Sequence, residues 1–72
     1  MEEKTTFEQT GHYPPHHIAH RLRRIADSIE HGQLSLIGHD ITIPDIIHMK
    51  IELEEEENSF ELEIELSWPV RA

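Results

Sequence analysis

Cysteine is absent from the 72 residues, which removes disulfides and thiolate zinc sites together. Glycine occurs three times, and each position reads as a turn or a cap, so there is no glycine-rich loop to cradle a phosphate. No strand-turn-helix nucleophile elbow surrounds Ser28, Ser35, Ser59 or Ser67. No stretch approaches the ~20 apolar residues of a membrane span, and Met1-Glu2-Glu3-Lys4 does not read as a signal peptide. Positive charge is also scarce, with 6 Lys and Arg against 15 Asp and Glu and a formal net charge of −9. An acidic surface repels phosphate backbones and anionic membranes, which argues against both as partners. These absences together point to a soluble, cytoplasmic, non-enzymatic protein without a cofactor.

What is present is patterned. From Ser59 to Trp68 the residues alternate without a break, placing Phe60, Leu62, Ile64, Leu66 and Trp68 on one face and Glu61, Glu63, Glu65 and Ser67 on the other. A slip of one residue would bury three carboxylates and expose five large apolar groups, so the register is strongly specified. The charge is uneven as well. Four bases against five acids leave −1 in residues 1–36, and two against ten leave −8 in residues 37–72. Arg21, Arg23 and Arg24 are the one basic cluster.

Thr5 to Thr10 is a short strand candidate anchored by Phe7, broken by Gly11-His12-Tyr13-Pro14-Pro15. Pro15 to His31 predicts the one helix, with Ile18, Leu22, Ile25 and Ile29 as a narrow apolar stripe and Gly32 as a left-handed stop. His31, in its last turn, suits the negative end of the helix dipole when protonated. Leu34–Leu36 and Ile41–Ile43 read as a hairpin around Gly38-His39-Asp40, ended by Pro44-Asp45. A longer strand follows, with Ile47, Met49, Ile51 and Leu53 opposed to His48, Lys50, Glu52 and Glu54. Glu55 to Asn58 turns the chain into the last strand, and Pro69 stops that strand after Trp68.

Seventy-two residues make one domain, 1–72, with an ordered core over about 4–68. The predicted fold is α+β in two layers: one amphipathic helix on one face of a mostly antiparallel five-stranded sheet, in the order β-α-β-β-β-β. Its core is the helix stripe laid on Phe7, Leu34, Leu36, Ile41, Ile43, Ile51, Leu53, Phe60, Leu62, Ile64, Leu66 and Trp68.

The helix end Ile25-Ala26-Asp27-Ser28-Ile29-Glu30-His31-Gly32, the hairpin closing at Ile43-Pro44, the acidic strand Ile51-Glu52-Leu53-Glu54-Glu55 and the ending Glu61-Leu62-Glu63-Ile64-Glu65-Leu66-Ser67-Trp68 carry a family likeness. In these motifs, over roughly residues 4 to 68, the chain resembles the amphi-Trp domain, a family of small prokaryotic proteins. The resemblance implies the fold and brings no catalytic residue or cofactor. The histidine-rich stretch from Gly11 to His20 stands outside the family pattern.

Seven histidines include the cluster His12, His16, His17 and His20. His16 and His20 stand one helical turn apart, so both imidazoles can reach one transition-metal ion, with His12 as a third ligand. The helical wheel sets both opposite the apolar stripe, which favours a solvated helix face over a metal site. The glutamates predict a row in which Glu52 and Glu54 lie near Glu61, Glu63 and Glu65 on the open face. Hard cations suit carboxylates, but a charged face that blocks sheet aggregation explains them more simply. Mutual repulsion there predicts raised carboxylate pKa values. Trp68 is expected to close the end of the core. The reading that survives is an interaction or accessory module with a protein partner or a second copy of itself, and the alternative is a metal-binding protein using His12, His16 and His20.

Overall fold

The structure is a computed structural model that describes residues 4–36 and 38–70. It contains one helix, α1 (Pro15–Glu30), and four strands, β1 (Gln33–Leu36), β2 (His39–Thr42), β3 (His48–Glu56) and β4 (Ser59–Ser67). The fold is α+β. The strands form two separate antiparallel hairpins, β1-β2 and β3-β4, and the chain divides into two compact units, Met1–Thr42 and Ile43–Ala72.

In the first unit, helix entry is set by two prolines. Pro14 occupies the N-cap with φ −65° and ψ 152°, and Pro15 follows in the first turn. Proline's fixed φ suits that turn, and its missing N–H removes one of the donors a helix start leaves unpaired. His17 and Ile18 both donate backbone N–H groups to the Pro14 carbonyl, at 3.0 and 3.2 Å. At the other end the His31 N–H donates to the Asp27 carbonyl and the Gly32 N–H to the Ile29 carbonyl. The His31 ring adds Nδ1, 2.7 Å from the same Asp27 oxygen, which satisfies a terminal carbonyl in the tautomer protonated at Nδ1. Gly32 takes φ 79°, the left-handed stop expected from the sequence.

The helix packs against β1. The first hairpin pairs Gln33 with Thr42, Leu34 with Ile41, Ser35 with Asp40 and Leu36 with His39. Gly38 lies in the two-residue connection with φ 76°. His39 and Asp40, read from sequence as turn residues, therefore begin β2 instead. The reason is the tightness of the turn, which one positive-φ glycine permits, and Ser35 donates its hydroxyl across the ladder to the Asp40 carboxylate at 2.7 Å.

Thr5–Thr10 forms no strand, so the expected five-stranded sheet is corrected to four strands among the described residues. Phe7 is its one large apolar anchor, and a segment with so little to bury gains little from joining a ladder.

In the second unit, β3 and β4 pair over their full lengths, from His48 with Ser67 to Glu56 with Ser59. Glu55 and Glu56, expected in the turn, extend β3 and leave Glu57 and Asn58 to reverse the chain. The register keeps the large apolar residues on one side, with Glu55 opposite Phe60 as the one carboxylate among them. Met49, Ile51 and Leu53 stand opposite Leu66, Ile64 and Leu62, while Lys50, Glu52 and Glu54 stand opposite Glu65, Glu63 and Glu61. The dry face is nevertheless open. Ile51, Leu53, Phe60, Leu62 and Ile64, all expected in the core, keep between 50 and 70 % of their surface exposed, and Ile43 is the one buried hydrophobic residue among those described. A two-stranded ribbon has no second layer of its own, so alternation sets which face is apolar without covering it.

Both positive-φ glycines have open space where a Cβ would stand, so substitution there carries only the conformational cost. Gly32→Ala and Gly38→Ala are each expected to destabilise by about 1–2 kcal/mol. Urea denaturation followed by circular dichroism measures this, and an unchanged midpoint for either variant would contradict the assigned backbone.

Candidate functional site

Four features of the surface can engage another molecule. At the start of α1, Tyr13, His17 and Arg21 stand four residues apart. The Tyr13 and His17 rings stack, with centroids 4.9 Å apart and planes 10° from parallel. The Arg21 guanidinium lies 5.9 Å from the Tyr13 ring centre and donates to the Gln9 side-chain carbonyl. A planar cation over an aromatic face is favourable, so this column ties the segment before the helix to the helix. Sequence reasoning missed it, although the spacing of four that brings helical neighbours together was there to read.

The histidine cluster is placed differently. His12 precedes the helix, His16 and His20 lie one turn apart along it, and all three are exposed. Among the described residues no three histidine or carboxylate side chains gather into a group able to hold a metal ion. His17, one position off that pair, is held by Tyr13 instead.

A cleft of about 440 Å³ opens between α1 and β1. His17, His20, Arg21 and Arg24 supply one wall, Ile25, Leu34 and Leu36 supply apolar surface, and the Ser28 and Ser35 hydroxyls complete it. Both hydroxyls are committed, Ser28 to the Arg24 carbonyl at 3.1 Å and Ser35 to Asp40. Among the described residues no acid lines the cleft. The one ion pair among the described residues joins Lys50 to Glu52, so neither cleft arginine is neutralised by a described carboxylate.

The third feature is the carboxylate row on the wet face of β3-β4, with Glu52 directly opposite Glu63 and Glu54 opposite Glu61. The expected uniform rise in pKa is corrected here. Glu54, two residues along the same face, favours the ionised form of Glu52 by side-chain hydrogen bonding, and the Lys50 ammonium lies 3.0 Å from the Glu52 carboxylate. Both hold Glu52 below the ordinary value of 4.5. Glu54 is pushed above that value, first by the hydrogen bond with Glu52, then by the charge of Glu61, with burial and Glu63 adding to it. The two neighbouring carboxyls are thereby driven apart in acidity, Glu54 being the harder of the two to ionise.

The fourth feature is the open dry face, which ends at Trp68. That indole is half-buried in a shallow depression with Ile46, Ile47 and Pro69 at the end of the second hairpin.

The two opposite shifts give a signed pH response. Glu54, with its raised folded pKa, contributes stability that is complete below 4.5 and lost as pH climbs through the raised value. Glu52 contributes the opposite, present above 4.5 and lost as pH falls through its lowered value. Acidification is therefore expected to raise the contribution of this pair slightly and then lower it, with a shallow maximum near 4.5. Glu54→Gln keeps a donor for Glu52 and removes the rising limb. Melting curves of both proteins across this range, with carboxyl carbon shifts by NMR, test it. Glu52 taking up its proton before Glu54 would refute the assignment.

No curated protein and no solved structure matches the chain. Among the described residues no helix is long and apolar enough to cross a membrane. Residues 1–72 match the model of the Amphi-Trp domain from end to end. The chain therefore belongs to the Amphi-Trp domain family.

Proposed function

We propose that this chain is a non-enzymatic interaction module whose recognition surface is the dry face of β3-β4. The observation that carries the reading is the row of Met49, Ile51, Leu53, Phe60, Leu62 and Ile64, each at least half exposed on one side of the ribbon. Contiguous apolar patches of this size on a protein surface mark interaction sites.

The shape of the face selects its occupant. Two strands lie ~4.8 Å apart and nine residues span ~30 Å, a strip about as wide as one helix and as long as ~20 helical residues. Charge selects further. Residues 43–72 hold two bases against nine acids, so a second copy would bring like charge to like charge. The occupant is a partner protein's amphipathic helix, apolar on the buried side and flanked by Lys or Arg, in the manner of helix-in-groove recognition. Electrostatic attraction would raise the association rate and make it sensitive to salt.

Two synthetic helical peptides of ~20 residues, one of Leu and Lys and one of Leu and Glu, test this. The basic peptide is expected to give saturable NMR shifts at Met49–Leu53 and Phe60–Ile64 that weaken with added sodium chloride, and Leu62→Ser to abolish them. Three results would overturn the reading: neither peptide binding, both binding equally, or a dimer or α1 of the same chain already protecting the face from exchange. No turnover is expected on broad hydrolase, transferase and redox panels. A reproducible activity lost on replacing one histidine would refute the non-enzymatic part.

A further inference from the structure

We infer that the cleft between α1 and β1 binds an amphipathic organic anion, a phosphate or carboxylate head on a short apolar body. The site is independent of the β3-β4 face and lies wholly within the first unit.

The inference begins with charge. In a chain with 15 acids and 6 Lys and Arg, arginines are expected to be neutralised by neighbouring carboxylates. Arg21 and Arg24 form no ion pair with a described residue, and both line a cleft with no acid among its described lining residues, Asp40 standing behind the lining Ser35. At physiological salt, charges beyond ~8 Å are largely screened, so the lining decides the local potential more than the net −9. A long polyanion would still meet that net charge, and a small anion would not.

Geometry narrows the ligand. His17, His20, Arg21, Arg24 and Ser28 recur at spacings of three and four along α1, which sets them on the helix side that faces β1. Arg21 is already held over Tyr13 and bonded to Gln9, so little side-chain entropy remains to be lost when it binds. Arg24 supplies a second guanidinium one turn away, and planar guanidiniums match phosphate and carboxylate oxygens in bidentate fashion. With the Ser28 and Ser35 hydroxyls bonded inside the protein, the donors left for a ligand are the guanidiniums and the imidazoles. The remaining wall is apolar, from Ile25, Leu34 and Leu36. A bare inorganic anion would leave that wall wet, whereas an alkyl body covers it. The volume of about 440 Å³ lies within the ~300–1,000 Å³ range of small-molecule sites.

Hexyl phosphate, hexanoate, inorganic phosphate and hexanol are the probes, titrated into the full chain and followed by amide and arginine side-chain NMR. Hexyl phosphate and hexanoate are expected to give saturable shifts at Arg21, Arg24, Ser28 and Leu34–Leu36. Inorganic phosphate should bind at least about tenfold more weakly, and hexanol should not saturate. Arg24→Gln should weaken hexyl phosphate about tenfold, Arg24→Lys should restore part of the loss, and Arg23→Gln, outside the lining, should change nothing. Circular dichroism of each variant confirms that the fold is kept, and Arg24 is exposed, so its replacement leaves the helix intact. No saturation by either amphipathic anion, equal binding of inorganic phosphate, or an equal effect of Arg23→Gln and Arg24→Gln would overturn the proposal. None of these results bears on the peptide experiment with β3-β4, so the two readings fail separately.

Discussion

The ladder between β3 and β4 governs most of the surface chemistry. Because strand side chains change sides at each residue, nine paired positions deliver a mainly hydrocarbon face, with Glu55 at one end, and a polar face rich in carboxylate back to back. A slip of one residue would set Glu61, Glu63 and Glu65 opposite the apolar side chains of β3 instead. The same constraint leaves Glu52, Glu54, Glu61 and Glu63 within reach of one another. The crowding shows in Glu54, whose pKa is raised by Glu52 and Glu61, while Lys50 beside Glu52 offsets it there.

The first unit solves a different problem with different means. Its helix begins on two prolines, without a side-chain cap and without an acid in the first turn, so local propensity alone supports it weakly. Support comes instead from tertiary neighbours. The Tyr13–His17 stack and the Arg21 contacts bind the preceding segment to the first turns, and β1 packs along one side. The cationic side chains that flank this packing are left facing a cleft rather than a carboxylate.

Much of this was legible in the residues. The helix from Pro15, its stop at Gly32 and the two faces of the last hairpin follow from periodicities of 3.6 and 2, which single residues impose locally. Burial was not legible, because alternation reports which side of a strand is apolar and is silent on what covers it; Leu62 and Ile64 are exposed for that reason. The strand expected at Thr5–Thr10 failed on the same ground, since pairing depends on a neighbour that one phenylalanine does not specify. At the helix start the abundance of histidine drew attention to His12, His16 and His20, whereas the structured histidine is His17, singled out by the aromatic residue four positions before it. The Glu52–Glu54 pair was hidden by treating five carboxylates as equivalent, when a lysine next to one of them breaks the symmetry.

Both hairpins reverse direction through only two residues, one closing on Gly38 and the other on Glu57-Asn58, and α1 packs on the strand that immediately follows it. Every ladder therefore joins segments adjacent along the chain. Such loops close in tens of nanoseconds and hairpins form within ~1–10 μs, with little chain entropy lost to closure. Low sequence separation between contacting residues is associated with fast folding. As the polypeptide leaves a ribosome, each hairpin can zip once its own second strand has emerged, without waiting for residues further on.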